Sequence, residues 1–106
     1  MALRDDISKD VSAALKAGEK EKLSTIRMLL SAVKYKEVDL RRPLNDEEVQ
    51  GVAGTLIRQR QDSVEQFRKG NRPELAEKEE REIEVLKAYL PPQMSAEVLR
   101  ALIKKL

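Results

Sequence analysis

Residues 20–42 concentrate the charge chemistry of this sequence. Lys20, Lys22, Arg27, Lys34, Lys36, Arg41 and Arg42 stand there against only Glu21, Glu37 and Asp39, and Arg58-Gln59-Arg60-Gln61 adds two more cations downstream. Cations gathered on one surface can hold phosphates, and an arginine can grip one bidentately. Arg27, Lys34, Arg58 and Arg60 are the candidate nucleic-acid contacts. The competing reading is an ordinary soluble surface whose neighbouring acids balance them. Tyr35, Phe67 and Tyr89 are the only aromatics. So few stacking platforms argue against sequence-specific reading of unpaired bases.

Arg60 falls inside an apolar stripe between Leu56 and Val64, and Arg27 lies beside Ile26 in a largely apolar run. An arginine drawn partly inside needs a carboxylate. Glu79 or Glu82, which interrupt the stripe of a later segment, are the candidates for an intramolecular pair. The acidic run Glu77, Glu79, Glu80, Glu82, Glu84 has the composition of a hard-metal site, but metal carboxylates converge from several elements. Here Lys78, Arg81 and Lys87 interleave at helical offsets, which fits a solvated face with weak pairs. No metal ligand set is assigned. Gly51-Val52-Ala53-Gly54 has the spacing of a nucleic-acid-binding GxxG loop, yet it lies in a helical stripe. There, small residues let another helix approach closely.

Whole chemistries are excluded. Without histidine there is no imidazole base and no Ser-His-Asp triad; without cysteine there is no thiol nucleophile and no disulfide. No catalytic residue and no cofactor is assigned. The net charge is only +2, so no strong global field draws in nucleic acid or membrane. No apolar run approaches the roughly 20 residues of a membrane span, and no signal peptide is visible.

The elements that must position these residues are helical. The chain has 106 residues, 41% hydrophobic and 38% charged, the size of one small domain with a thin aliphatic core. Leu3, Ile7, Val11 and Ala14/Leu15 mark a first helix, stopped by Gly18 in the left-handed position. A second runs from about Glu19 to Arg41 on Leu23, Ile26, Leu29/Leu30, Val33 and Leu40, ended by Pro43. Asn45 and Glu48 have capping-box spacing and open a third, which carries Val49, Val52/Ala53, Leu56, Val64 and Phe67 and stops at Gly70. A fourth opens at Asn71 with Glu74 at the capping-box position and ends at Pro91-Pro92. A fifth begins at Ser95 with Val98, Leu99, Leu102, Ile103 and Leu106. The predicted fold is all-α: a four-helix N-terminal bundle over residues 1–90, plus a fifth helix after the Pro-Pro break. Leu99, Leu102 and Ile103 are the candidate partner-helix contacts. Self-association through residues 95–106 is expected.

Taken together, these segments resemble the YqeY-like family. The resemblance is carried by Lys22-Leu23-Ser24-Thr25-Ile26-Arg27-Met28-Leu29 with Ala32-Val33-Lys34, by Leu44-Asn45-Asp46-Glu47-Glu48-Val49, and by the run from Arg58 to Phe67. Gly70-Asn71-Arg72-Pro73-Glu74-Leu75, Glu82-Ile83-Glu84 and Tyr89-Leu90-Pro91-Pro92-Gln93-Met94-Ser95 continue it. The order and spacing fit along essentially the whole chain.

The resemblance implies an α-helical, cytoplasmic protein. It implies a domain, the GatB/YqeY domain, shared with the C-terminal helical part of the GatB component of tRNA-dependent aspartyl/glutamyl amidotransferase. The family label is carbon–nitrogen ligase with glutamine as amido-N-donor. In the amidotransferase the shared region grips tRNA while the chemistry lies elsewhere, so tRNA is the implied partner. Residues 91–106 would begin a tail-like helical domain, truncated or absent in this chain. Gly51 and Gly54 depart from the larger helix formers expected there. The function expected is a tRNA-binding accessory module, with a non-catalytic helical protein-interaction module as the alternative.

Overall fold

The computed structural model describes residues 2–91. They form four helices, α1 (Leu3–Ala17), α2 (Lys20–Leu40), α3 (Asp46–Lys69) and α4 (Pro73–Lys87), with no strand among the described residues. The all-α expectation holds. The predicted fifth helix, with Leu99, Leu102 and Ile103, lies outside the described residues.

Local chemistry sets the boundaries. Gly18 takes φ 71°, the left-handed conformation that glycine adopts without a Cβ penalty, and its N–H closes α1 onto Ala14 and Leu15. α2 ends at Leu40, where Arg41 turns left-handed. The capping box at α3 is formed in both directions. Asn45 Oδ1 accepts from the Glu48 N–H at 2.9 Å, and the Asn45 N–H donates to Glu48 Oε1 at 3.1 Å. The matching box expected at Asn71 and Glu74 is not formed. Asn71 is spent on the left-handed turn between α3 and α4, at φ 57°, so Arg72 occupies the cap position without a side-chain bond. α4 stops at Lys87, before the prolines, and Ala88–Leu90 continue in a tighter turn of i→i+3 bonds.

The packing is not the four-cornered bundle predicted. α2 and α3 each touch the other three helices, whereas α1 and α4 do not pack on one another. The reason is the distribution of apolar side chains. Ile26, Leu29 and Val33 on one face of α2 are fully buried together with Ile7 from α1, Val49, Ala53 and Ile57 from α3, and Leu86 from α4. Tyr89, just past α4, links that end of the chain to α1: it is 4% exposed and donates its hydroxyl to Asp10 Oδ2 at 2.6 Å. Burial, then the neighbouring Asp10 carboxylate, pushes that phenol up from its ordinary value.

Arginine–carboxylate pairs fasten the ends. Arg4 Nε and the Leu44 N–H both donate to Glu37 Oε2, at 2.7 and 2.9 Å, joining α1, α2 and the connection to α3. Arg81 Nε donates to Glu21 Oε1 at 2.7 Å and holds α4 to the start of α2. Arg42 forks onto both oxygens of Glu48 at 2.7 Å each. That fork, with the Asn45 N–H, holds the Glu48 carboxyl down at about 2. A carboxyl depressed by folding stabilises above its unfolded value of roughly 4.3 and loses that contribution as pH falls toward the folded one. Urea midpoints measured from neutral pH downward should therefore fall more steeply for the parent chain than for Glu48→Gln, which keeps the cap bond without the charge. Parallel curves would show that the Arg42 fork contributes nothing.

Candidate nucleic-acid interface

The outer face of α2 is built by what its inner face buries. With Ile26, Leu29 and Val33 turned inward, the helical period turns Lys20, Ser24, Arg27, Ser31 and Lys34 outward, and all five are exposed. Lys20, Arg27 and Lys34 recur every seven residues, so they drift by only about 20° per step and stand about 10.5 Å apart along the axis. Arg41, seven further on, sits exposed at the left-handed cap. None of the four has a carboxylate in ion-pair reach among the described residues. The acids nearby are engaged elsewhere: Glu21 by Arg81, Glu37 by Arg4, and Glu19 by Lys22 at 3.7 Å. The Arg4 hydrogen bond leads in holding the Glu37 carboxyl below its ordinary range, and the charge of Lys34 adds to it.

The predicted contacts therefore separate. Arg27 and Lys34 are brought together on this ridge; Arg27 is exposed, not drawn inside, because the residue after Ile26 lies about 100° round the helix. Arg58 is half-buried on α3 and pairs with Asp62 at 3.9 Å, one turn on. Arg60, two positions further, points to the opposite side, so Arg58 and Arg60 share no face. Lys20 and Arg41 belong with Arg27 and Lys34, and their seven-residue recurrence is the signal that marks them.

Arg60 is a structural residue. It is 7% exposed. Its Nε donates to Glu82 Oε1 at 3.3 Å, Nη1 donates to the Leu56 carbonyl at 3.1 Å, and Nη2 donates to Met28 Sδ. Glu79 approaches to 3.9 Å. Burial, reinforced by the adjacent Glu82, pushes the Glu79 carboxyl up. The intramolecular pair read from the two stripes is thus present, and the guanidinium is not open to a phosphate. Elsewhere in the acidic run Glu80 pairs across to Arg68 of α3, and Glu84 pairs with Lys87 at 3.2 Å within α4. No cluster suited to a metal ion occurs among the described residues. Gly51, Ala53 and Gly54 are buried within α3, with no strand beside them among the described residues, which removes the GxxG-loop reading.

The described residues thus form an all-helical fold with a basic ridge on α2 and a buried arginine–glutamate cluster between α3 and α4. The chain belongs to the YqeY-like family, whose description is "Yqey-like protein" and which matches residues 4–106. It is 42% identical over 86 residues to "Altered inheritance of mitochondria protein 41, mitochondrial" of Lachancea thermotolerans, covering 80% of this chain and 46% of that protein. The protein of the same name from Vanderwaltozyma polyspora is 40% identical over 85 residues, 79% of this chain and 46% of its own length. An uncharacterized protein of Schizosaccharomyces pombe is 35% identical over 89 residues, 84% of this chain and 72% of its own. The chain spans about half the length of the first two relatives. Those names overturn the expectation of a cytoplasmic protein, since both relatives are named as mitochondrial. Among the described residues no helix is long and apolar enough to cross a membrane.

The role of Arg60 has a direct test. Arg60→Leu leaves Glu82 buried without its cation and should cost roughly 3–5 kcal/mol in urea unfolding. Adding Glu82→Leu should recover most of that loss. A double variant as unstable as the single one would show that the pair is not what Arg60 supplies.

Proposed function

We propose that this chain is a non-catalytic, tRNA-binding accessory module whose contact with RNA is the ridge Lys20, Arg27, Lys34 and Arg41. The observation that carries the reading is charge asymmetry: these cations are exposed with no carboxylate in ion-pair reach among the described residues, while Glu19, Glu21 and Glu37 nearby are held by other cations. The kinship with the GatB component of the amidotransferase, implied by the family resemblance, supplies tRNA as the polyanion. The ridge holds phosphates and leaves the reacting amino acid to a partner enzyme. Residues spaced about 10.5 Å apart meet separate phosphates of a folded RNA rather than adjacent ones of a strand.

Amide transfer by the chain itself is disfavoured. A glutaminase needs an activated nucleophile and a base. Without histidine or cysteine only a serine–lysine arrangement remains, and no motif in the sequence supports one. A second reading, a helical protein-interaction module, is favoured by Tyr35 and Val38, both largely exposed on α2.

Four phosphate contacts give an affinity for tRNA that falls with salt at a log–log slope of roughly −3 to −4. Each of Arg27→Ala and Lys34→Ala should flatten that slope by about one, whereas Lys69→Ala on α3 should not. Salt-independent or nanomolar sequence-specific binding would sink the ridge reading. Incubation with glutamine and mischarged tRNA should release no ammonia and form no amide. Turnover abolished by replacing Ser24, Ser31 or Ser63 would restore an enzyme.

A further inference from the structure

An open groove of about 790 Å³ runs between the C-terminal half of α2 and the N-terminal half of α3. Its size is that of a small-ligand site. Val52 and Leu56 give it an apolar floor, and Gly51 contributes no side chain to narrow it. Tyr35 lines it from α2 with 80% of its surface exposed, although the protein has only two tyrosines and one phenylalanine. Lys34 on one side of Tyr35 belongs to the ridge. Lys36 on the other side lines the groove. The aromatic ring thus stands where the unopposed charge and the cavity meet.

A flat ring beside a ridge of cations is a stacking platform, because every base presents a π-face while its phosphate needs a cation. The groove also holds polar groups suited to a base edge. Asp39 offers a carboxylate that accepts from an exocyclic amine, and the Gln59 amide can both donate and accept. The Thr55 hydroxyl donates to the Gly51 carbonyl at 3.0 Å, so it turns lone pairs outward as acceptors.

We infer that the groove takes an unpaired RNA base, stacked on Tyr35, with its phosphate held by Lys34 of the ridge, since Lys36 turns to the other side of α2. This rests on the reading of the ridge as an RNA contact and adds to it that the RNA must offer a single-stranded nucleotide beside the backbone that the ridge holds. The count of aromatics argues against such reading; the position of one of them argues for it.

The experiment is NMR titration of the intact 106-residue chain with inorganic phosphate, a blunt RNA duplex and oligoadenylate, followed by affinities for Tyr35→Leu and Tyr35→Phe. The duplex should shift amides of Lys20, Arg27 and Lys34. Oligoadenylate should shift those and also Tyr35, Val52, Thr55 and Gln59, while phosphate shifts none of the groove. Tyr35→Leu should weaken oligoadenylate by roughly 5- to 150-fold, the worth of one stacked base, and leave duplex affinity unchanged. Tyr35→Phe should bind as the parent does. Oligoadenylate that shifts only the ridge, with Tyr35→Leu neutral, overturns the groove proposal and leaves the RNA reading standing. Absence of shifts with either RNA overturns both. Groove amides that move with protein concentration alone would mean a second copy fills it, and that also overturns the proposal.

Discussion

One apolar face of one helix is shared by three neighbours, and the rest of the structure follows from that sharing. Ile26, Leu29 and Val33 are buried against residues of α1, α3 and α4 at once, while α1 and α4 do not pack on each other. Each of these aliphatic side chains is worth roughly 1.5–3 kcal/mol when removed from water. α2 is therefore central in energy but peripheral in position, with its opposite face open to water. A helix buried all round could not carry such a row of cations, since an unpaired buried charge costs several kcal/mol. The ridge of Lys20, Arg27 and Lys34 is compatible with the fold because the hub is also an outer wall.

The second constraint is where the carboxylates are used. Arg4, Arg42, Arg60 and Arg81 each take a glutamate, and three of these pairs join segments distant in sequence: Arg4 with Glu37, Arg60 with Glu82, Arg81 with Glu21. Arginine suits this work because its planar fork can bond a carboxylate and a carbonyl together, as Arg60 does with Glu82 and Leu56. The acids so engaged no longer neutralise α2. A net charge of +2 therefore understates the local field. Screening at physiological salt acts over about 8 Å, so a phosphate responds to the cations within that reach and hardly to the sum over the molecule.

What the sequence discloses is what depends on near neighbours. The left-handed Gly18, the Asn45–Glu48 box and the helical stripes are decided within a few residues, and each is present. Arg60 and Glu82 are legible as partners because each interrupts an apolar stripe, so each has to be satisfied inside. The Tyr89–Asp10 bond joins residues 79 apart and the Arg81–Glu21 pair residues 60 apart, and no local pattern marks either. Arg27 departs from its expected partial burial for a simple geometric reason. Adjacency to Ile26 in sequence is separation on a helix, and only the seven-residue interval to Lys20 and Lys34 reports its face. The closed bundle is illegible for a related reason, because stripe positions fix which face each helix buries but not which helices share it.

The two tyrosines show how placement decides what a residue type means. Tyr89 is 4% exposed, and its hydroxyl ties the end of α4 to α1 through Asp10. Its bulk fills a gap that no helix–helix contact closes, so its role is exhausted by packing. Tyr35 is 80% exposed and makes no such bond among the described residues. The core is complete without it, since Ile, Leu, Val and Ala side chains from all four helices already fill the interior. Val38, on the next turn, is 77% exposed as well. Neither side chain stabilises the fold by burial, yet both stand on the half of α2 that borders the groove, close in sequence to Lys34 and Arg41 of the ridge. Apolar area left in water at the edge of a concavity gains free energy only when something covers it. The chemistry around it, ridge cations on one side and Lys36, Asp39, Glu48 and Gln59 along the groove, suits a flat, polar-edged occupant better than a purely apolar one.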